Sequence, residues 1–397
     1  MPRVVPPVYS PLDLAALISG LGATMRGTDT AQAAVRRQLA ERFGASDLVL
    51  TASGTAALTL ALRAAAAAGA VPVALPAYCC YDIATAADGA DVPVLLYDVD
   101  PTTLGPDFDS LEQALAAGAR TVVMVHLYGI PVDADAVHAA AARYGALVID
   151  DAAQGAGASW RGRPLGALGS LGVLSFGRGK GITGGRGGAL LANDARGAAL
   201  LKALGDALAP ARTSPSEPVT ALAQWLLARP ALYAIPASLP FLRLGETVYH
   251  SPTPPRGMSR FAAGLLRRTI TYAENETRRR RATAERWANV FRALPPSVAT
   301  IPSAPPGAEP GALRQPILVC DPALRTRFRS AAARRLGVWP AYPTPLADLT
   351  GFAPRVLNAD AAFPGARALA EMLFTAPTHS QVRDTNLTAL QSWLPQG

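Results

Sequence analysis

The chain has 397 residues, half of them hydrophobic and 17% charged, with a formal net charge of +8. That is ample apolar material for one large or two ordinary globular domains, and too little charge for a disordered or fibrous chain. Three cysteines (Cys79, Cys80, Cys320) exclude a disulfide framework, and four scattered histidines exclude zinc-finger spacing, so no metal site is expected.

Residues 1–9 lack the apolar stretch of a signal peptide, so a reduced, cytoplasmic setting is expected. Apolar residues at helical spacing (Val35, Leu39, Phe43) predict a helix over 31–43, closed by Gly44. A short strand over 47–51 and an Ala/Leu helix over 56–68 follow. Strands are then predicted at 71–75, 92–97, 121–126, 146–150 and 171–176, with a further apolar run at 189–192. They alternate with helices near 81–87, 110–117 and 133–144. This alternation predicts an α/β fold with a mainly parallel sheet between helices. Ligands of such sheets sit at the carboxyl ends of the strands.

Between about 205 and 255 the pattern changes to an apolar, proline-rich insert. Pro230, Pro236 and Pro240 argue against a membrane-spanning helix there. The insert reads most simply as a dimer or active-site wall; a membrane-surface contact is the sharper alternative. One long helix over 258–294 comes next and carries Arg278–Arg281, which read as a solvated face. No aromatics interleave with the basic residues, so nucleic acid is not an expected partner. From about 299, strands at 315–320 and 338–342 and helices at 322–335, 365–372 and 381–393 make a smaller α+β domain. The division falls at 257/258, with the N-terminal arm on the larger side.

Lys180 and Lys202 are the only lysines among 37 basic residues. An ammonium can deprotonate and form a Schiff base whereas a guanidinium cannot, so a lysine kept in such a chain is a candidate for amine chemistry. Lys202 lies on an Ala/Leu helix; Lys180 lies in Gly177-Arg178-Gly179-Lys180-Gly181 and stands out. Ser53-Gly54-Thr55 opens a helix after a strand, as a plain cap or as a phosphate cup. Asp150-Asp151 closes a buried strand, where a carboxylate is costly without a cation or donors; a cap, a metal ligand or a catalytic group would each account for it. Ser175 ends the strand before Lys180. Together these residues supply three of the four needs of pyridoxal phosphate: an aldimine lysine, a carboxylate for the ring nitrogen and a phosphate cup.

The stretches "TASGTAALTLAL", "LPAYCC", "VVMVHLYGIPVDADAV", "ALVIDDAAQGAGASWRGRPLGALGSLGVLSFGRGKGITGGRGGALLAND" and "FPGARALAEMLFTAPTH" resemble the DegT-type sugar aminotransferases. These are fold type I pyridoxal phosphate enzymes with a seven-stranded-type sheet in the large domain. The resemblance implies that Lys180 forms the internal aldimine and moves the proton, and that Asp151 pairs with the ring nitrogen. Gln154 would lie against the ring, and Ser53, Gly54, Thr55 and Ser175 would hold the phosphate. The family's stacking aromatic falls on Cys80, which leaves Tyr81, Tyr78 or Cys80 itself to cover the ring. Arg256 stands near the position of a partner-subunit arginine, and His379 lies in a late loop that approaches the site. Tyr342 joins these two as a candidate substrate residue. His126 reads as a satisfied, partly buried histidine.

The resemblance further implies a homodimer with shared active sites, and ping-pong transfer from an amino acid, glutamate, to a nucleotide-linked keto-sugar. The family's dehydratase branch replaces the lysine with histidine, so Lys180 argues against it. A non-sugar ketone as acceptor, and a binding protein that has kept the fold without catalysis, are the alternatives.

Overall fold

The computed structural model describes residues 3–205, 207–212, 214–237 and 248–394. Two helices, α1 (Leu14–Arg26) and α2 (Thr30–Phe43), precede a run of alternating elements. These are β1 (Asp47–Thr51), α3 (Gly54–Ala67), β2 (Val73–Pro76), α4 (Asp82–Ala90), β3 (Val94–Tyr97), α5 (Phe108–Ala116), β4 (Thr121–Val125), α6 (Ala134–Arg143) and β5 (Leu147–Asp151). A small hairpin, β6 (Ser159–Trp160) and β7 (Arg163–Pro164), separates them from β8 (Leu171–Ser175), β9 (Gly188–Ala192) and α7 (Ala195–Ala203). The central sheet has seven strands in the order β1-β9-β8-β5-β4-β2-β3. Only β9 runs against its neighbours, pairing antiparallel with both β1 and β8.

Side chains alternate across the sheet and build two cores. Val123, Ile149, Val173 and Leu190 pack on one face, and Val122, Met124, Val148 and Leu191 on the other. Caps set the helix starts: Asp13 Oδ1 accepts the Ala16 N–H at 2.7 Å, and Ser53 Oγ accepts the Ala56 N–H at 3.0 Å.

The insert forms α8 (Ser216–Leu227) and the short α9 (Ala234–Ala237); its residues 238–247 lie outside the described residues. The helix expected over 258–294 is two: α10 (Arg260–Thr269) and α11 (Ala273–Arg292), joined by a 3-10 turn at Ile270–Tyr272. Ala262, Ala263 and Leu266 of α10 belong to the core of the central sheet, whereas Trp287 and Phe291 of α11 belong to a smaller core. The Arg run is likewise divided. Arg280 is 4% exposed and donates to Gly311 O and Ala156 O, while Arg278 and Arg279 face solvent. The expectation of a wholly solvated face therefore fails at Arg280, which the carbonyls of the 156 and 311 loops solvate instead.

The C-terminal part contains β10 (Ala299–Thr300), β11 (Ala308–Glu309), β12 (Arg314–Val319), α12 (Pro322–Phe328), α13 (Ala331–Arg335), β13 (Trp339–Pro340), α14 (Pro364–Met372), β14 (Leu373–Pro377) and α15 (Asp384–Gln391). Its sheet runs β10-β12-β14-β13. Leu318 and Leu373 also join the core of the central sheet, so the two parts share apolar contacts. The N-terminal arm packs on this smaller part: Val5 is fully buried in its core and donates its N–H to Arg335 O at 2.9 Å.

Candidate active site

Three strand ends and one helix start meet at the carboxyl edge of the sheet. There a cavity is lined by Gly54, Thr55, Leu58, Cys79, Cys80, Asp82, Ile83, Val125, Asp151, Ala153, Gln154, Ser175 and Lys180. The sequence explains how each group arrives. Asp151 is the last residue of β5 and Ser175 the last of β8, while Gly54 and Thr55 form the first turn of α3. Lys180 is half-buried between Gly179 and Gly181, both left-handed (φ +76° and +77°). A Cβ on Gly179 would lie 2.6 Å from Val8 Cβ, and one on Gly181 would lie 2.5 Å from an Arg280 nitrogen. Only glycines on both sides let this loop turn and present the lysine.

Asp151 is 8% exposed, and its Oδ1 accepts the Ala153 N–H at 2.9 Å. Burial pushes its carboxyl up, against the pull of that N–H and of Lys180. A carboxylate so placed calls for a cation. Its neighbour Asp150 is fully buried and already satisfied. Asp150 accepts the Gly166 and Leu168 N–H groups at 2.6 and 2.9 Å and bonds His126 Nε2 at 2.9 Å. His126 Nδ1 accepts the Val132 N–H, which puts the imidazole proton on Nε2. His126 is thus a satisfied core histidine.

Gln154 Oε1 accepts the Tyr128 N–H at 2.9 Å, and Nε2 donates to Tyr342 Oη at 3.0 Å, fixing the amide plane at the cavity edge. A Cβ on Gly54 would sit 2.7 Å from Ser175 Cβ, so the floor beside the helix start is already at contact. Cys80 is in the wall, and burial, with Asp82 nearby, pushes its thiol up to about 12, which keeps it neutral and non-nucleophilic at ordinary pH.

Several expected residues do not line this cavity. Tyr81 is 4% exposed, and its hydroxyl accepts the Thr344 N–H; Tyr78 is fully buried and accepts the Tyr342 N–H. Both tyrosines hold up the 342–344 segment, and the position over the ring falls to Cys80. Ser53 spends its hydroxyl on capping α3 and faces an adjoining cavity. His379 is 6% exposed: Nε2 bonds Pro6 O at 2.9 Å, and burial lowers its pKa to about 4. It anchors the N-terminal arm rather than a substrate. The Arg256 carbonyl accepts the Ala52 N–H, and the side chain lines none of the cavities described.

Tyr342 does face a cavity, a second one of about 380 Å³ that shares Cys80, Asp82, Gln154 and Lys180 with the first. Sequence reading missed Asp82, Tyr128, Arg178 and Arg314, which also line it. The only local signal was Tyr128-Gly129 just past a strand end.

Pyridoxal phosphate fits these residues. The buried Asp151 carboxylate suits a protonated ring nitrogen, the start of α3 suits a phosphate, and Lys180 suits an aldehyde. Fold and cavity are those of the pyridoxal phosphate-dependent aminotransferase class. The chain belongs to the DegT/DnrJ/EryC1/StrS aminotransferase family, whose model matches residues 20–208. It is 30% identical over 339 residues to an L-glutamine:2-deoxy-scyllo-inosose aminotransferase of Streptomyces fradiae, a match covering 85% of this chain and 69% of that protein. The protein of the same name from Streptoalloteichus tenebrarius is 37% identical over 170 residues, but the match spans only 43% of this chain and 40% of the relative. Among solved structures, the sugar aminotransferase CalS13 from Micromonospora echinospora has the same fold, with a TM-score of 0.76 at 21% identity over 98% of both chains.

Proposed function

We propose that the protein transfers an amino group from an amino acid to a ketone on a polyhydroxylated six-membered ring, using pyridoxal phosphate held by Lys180. The observation that carries this reading is the meeting of Lys180, Asp151, Gly54, Thr55 and Ser175 in one cavity. The cofactor, when bound, supplies an aldehyde for amine exchange and an electron sink for the α-carbon. Asp151 keeps the ring nitrogen protonated, and Gly54, Thr55 and Ser175 hold the phosphate at the positive end of α3. Once the donor amine displaces it, Lys180 Nζ is a free base that takes the proton from the donor α-carbon. With the ketone bound, the same nitrogen supplies the proton in the reverse direction.

The S. fradiae relative is named for L-glutamine and 2-deoxy-scyllo-inosose, which supports glutamine as donor and a free keto-cyclitol as acceptor. A second reading, glutamate as donor and a nucleotide-linked keto-sugar as acceptor, draws support from Arg178 and Arg186. Both line the cavity beside the phosphate cup, where a diphosphate would find cations.

The deciding experiment is the visible spectrum of the purified protein. A yellow band, trapped by borohydride on the peptide containing Lys180 and bleached by glutamine or glutamate, is expected. Lys180→Ala is expected to fold and to lose the trapping. A protein that pyridoxal phosphate cannot colour would reject the enzyme in favour of a binding protein on the same fold. Amination of a keto-cyclitol and of nucleotide keto-sugars, compared side by side, separates the two acceptors.

A further inference from the structure

The second cavity contains two polar groups for which the fold provides no matching partner. Arg314, at the start of β12, donates from Nε to Thr375 Oγ1 at 2.7 Å and from Nη2 to Gly337 O at 3.2 Å and Thr375 O at 3.0 Å. Nη1 donates to Pro7 O. Every one of these acceptors is neutral, and among the described residues no carboxylate lies within ion-pair distance of the guanidinium. A guanidinium has five N–H donors, so one on Nη1 stays uncommitted. Burial lowers its pKa only to about 10, so it remains a cation at neutral pH. A desolvated cation without an anion is costly, and the four carbonyl and hydroxyl bonds orient it without neutralising it.

Tyr128 is the second group. It is 4% exposed, and its ring is stacked on Tyr342 with centroids 5.9 Å apart. Its backbone is left-handed (φ +57°), an unusual conformation for a bulky residue and one that its N–H bond to Gln154 helps to hold. Its buried hydroxyl makes no hydrogen bond of ordinary geometry among the described residues. Arg314 is close enough to act electrostatically on Tyr128. A buried hydroxyl donor and an unneutralised guanidinium in one wall are together complementary to a carboxylate.

We infer that Arg314 and Tyr128 form the subsite for the α-carboxylate of the amino donor, an inference that rests on the aminotransferase reading above. The cavity also contains Lys180, so a donor held by its carboxylate there has its amine and α-carbon on the side of the lysine.

The test is calorimetric titration of the holoenzyme with 4-carbamoylbutanoate and with pentanediamide, two ligands that differ only in carboxylate against amide. The wild type is expected to prefer the carboxylate by about tenfold or more, the usual weight of a charge-assisted bond. Arg314→Gln should bring the ratio close to one, and Tyr128→Phe should lower it about threefold. In the donor half-reaction, Arg314→Gln should raise the half-saturating concentration of L-glutamine about tenfold while leaving 4-aminobutanamide, its decarboxylated counterpart, unchanged. A wild type without preference, an Arg314→Gln protein that keeps it, or equal losses for both ligands would each overturn the inference; the last would make Arg314 a tie for the arm at Pro7. If Arg314→Gln hurts glutamate but spares glutamine, the subsite belongs to a side-chain carboxylate, and the α-carboxylate assignment is wrong. Should Arg314→Gln fail to fold, Tyr128→Phe decides, and an unchanged ratio rejects the site. Bleaching by glutamine with an unchanged ratio would reject this subsite alone. A holoenzyme that no amino acid bleaches would reject the function with it.

Discussion

At Asp151 the fold accepts a cost that a ligand can remove. Burial raises this carboxyl above its ordinary value, so the folded cofactor-free protein holds its proton more tightly than the unfolded chain does. Stability then falls as pH rises from the unfolded value to the folded one, and the penalty is fully present above both. Asp151→Asn removes the penalty. The cofactor-free variant is expected to melt at or above the wild-type temperature at pH 7 while losing at least tenfold in pyridoxal phosphate affinity. Melting scans with and without the cofactor check this, because a ligand that binds only the folded state raises Tm. A variant that binds the cofactor as well as wild type would remove Asp151 from the site. Gly54→Ala tests the phosphate floor: its Cβ would meet Ser175 at 2.7 Å, a misfit of about 1–3 kcal/mol by denaturation, with weakened cofactor retention. Undiminished retention of colour by that variant would show that the floor yields. Lys180 and Asp151 were legible because scarcity and strand-end position mark them. Arg314 was not, since an arginine opening a strand in a chain with 35 arginines has no sequence mark. Only its neutral surroundings distinguish it.

Among the elements, β4 and β5 depend on one buried pair. His126 leaves the end of β4, Asp150 lies one residue before the end of β5, and Asp150 also gathers the Gly166 and Leu168 N–H groups of the following turn. Asp150→Ala would leave three buried donors without an acceptor. A loss of about 3–5 kcal/mol in urea unfolding is expected, the range for removing one member of a buried polar cluster. A loss under 1 kcal/mol would mean that water replaces the carboxylate. The strands and helices of the central sheet were readable because apolar runs of four to six residues alternate with capped helices. Three features were not. The antiparallel run of β9 leaves the same apolar pattern as a parallel strand buried on both faces. The break at 270–272 interrupts no helical periodicity, because the 3-10 turn contains neither glycine nor proline. The split between α12 and α13 depends on Ser330, which caps the second helix by accepting the Ala333 N–H.

For the whole molecule, the outer faces of α1 and α8 show what is left uncovered. Leu14, Ile18, Leu21 and Met25 recur at helical spacing along α1 and are 57%, 59%, 45% and 86% exposed. Val219, Leu222 and Leu226 do the same on α8, which packs beside α1. The inner face of α1, with Ala16 and Leu17, is buried against α10, so the helix is apolar on both sides. A surface helix ordinarily keeps its outer stripe polar, and a patch of this kind marks a contact. Membrane spanning is not its explanation, since no helix among the described residues is long and apolar enough to cross a bilayer. A second copy of the chain is the occupant we predict, in keeping with α8 also lining the cavity beside the phosphate cup. Light scattering at micromolar concentration should give a dimer mass. The Leu14→Glu, Ile18→Glu and Met25→Glu triple variant should shift it to the monomer with little change in the urea midpoint, because these side chains are solvated in the single chain. A wild-type monomer, or a triple variant that stays dimeric, would remove this face from the interface. Binding of the wild type, but not the variant, to anionic vesicles would assign it to a membrane surface instead.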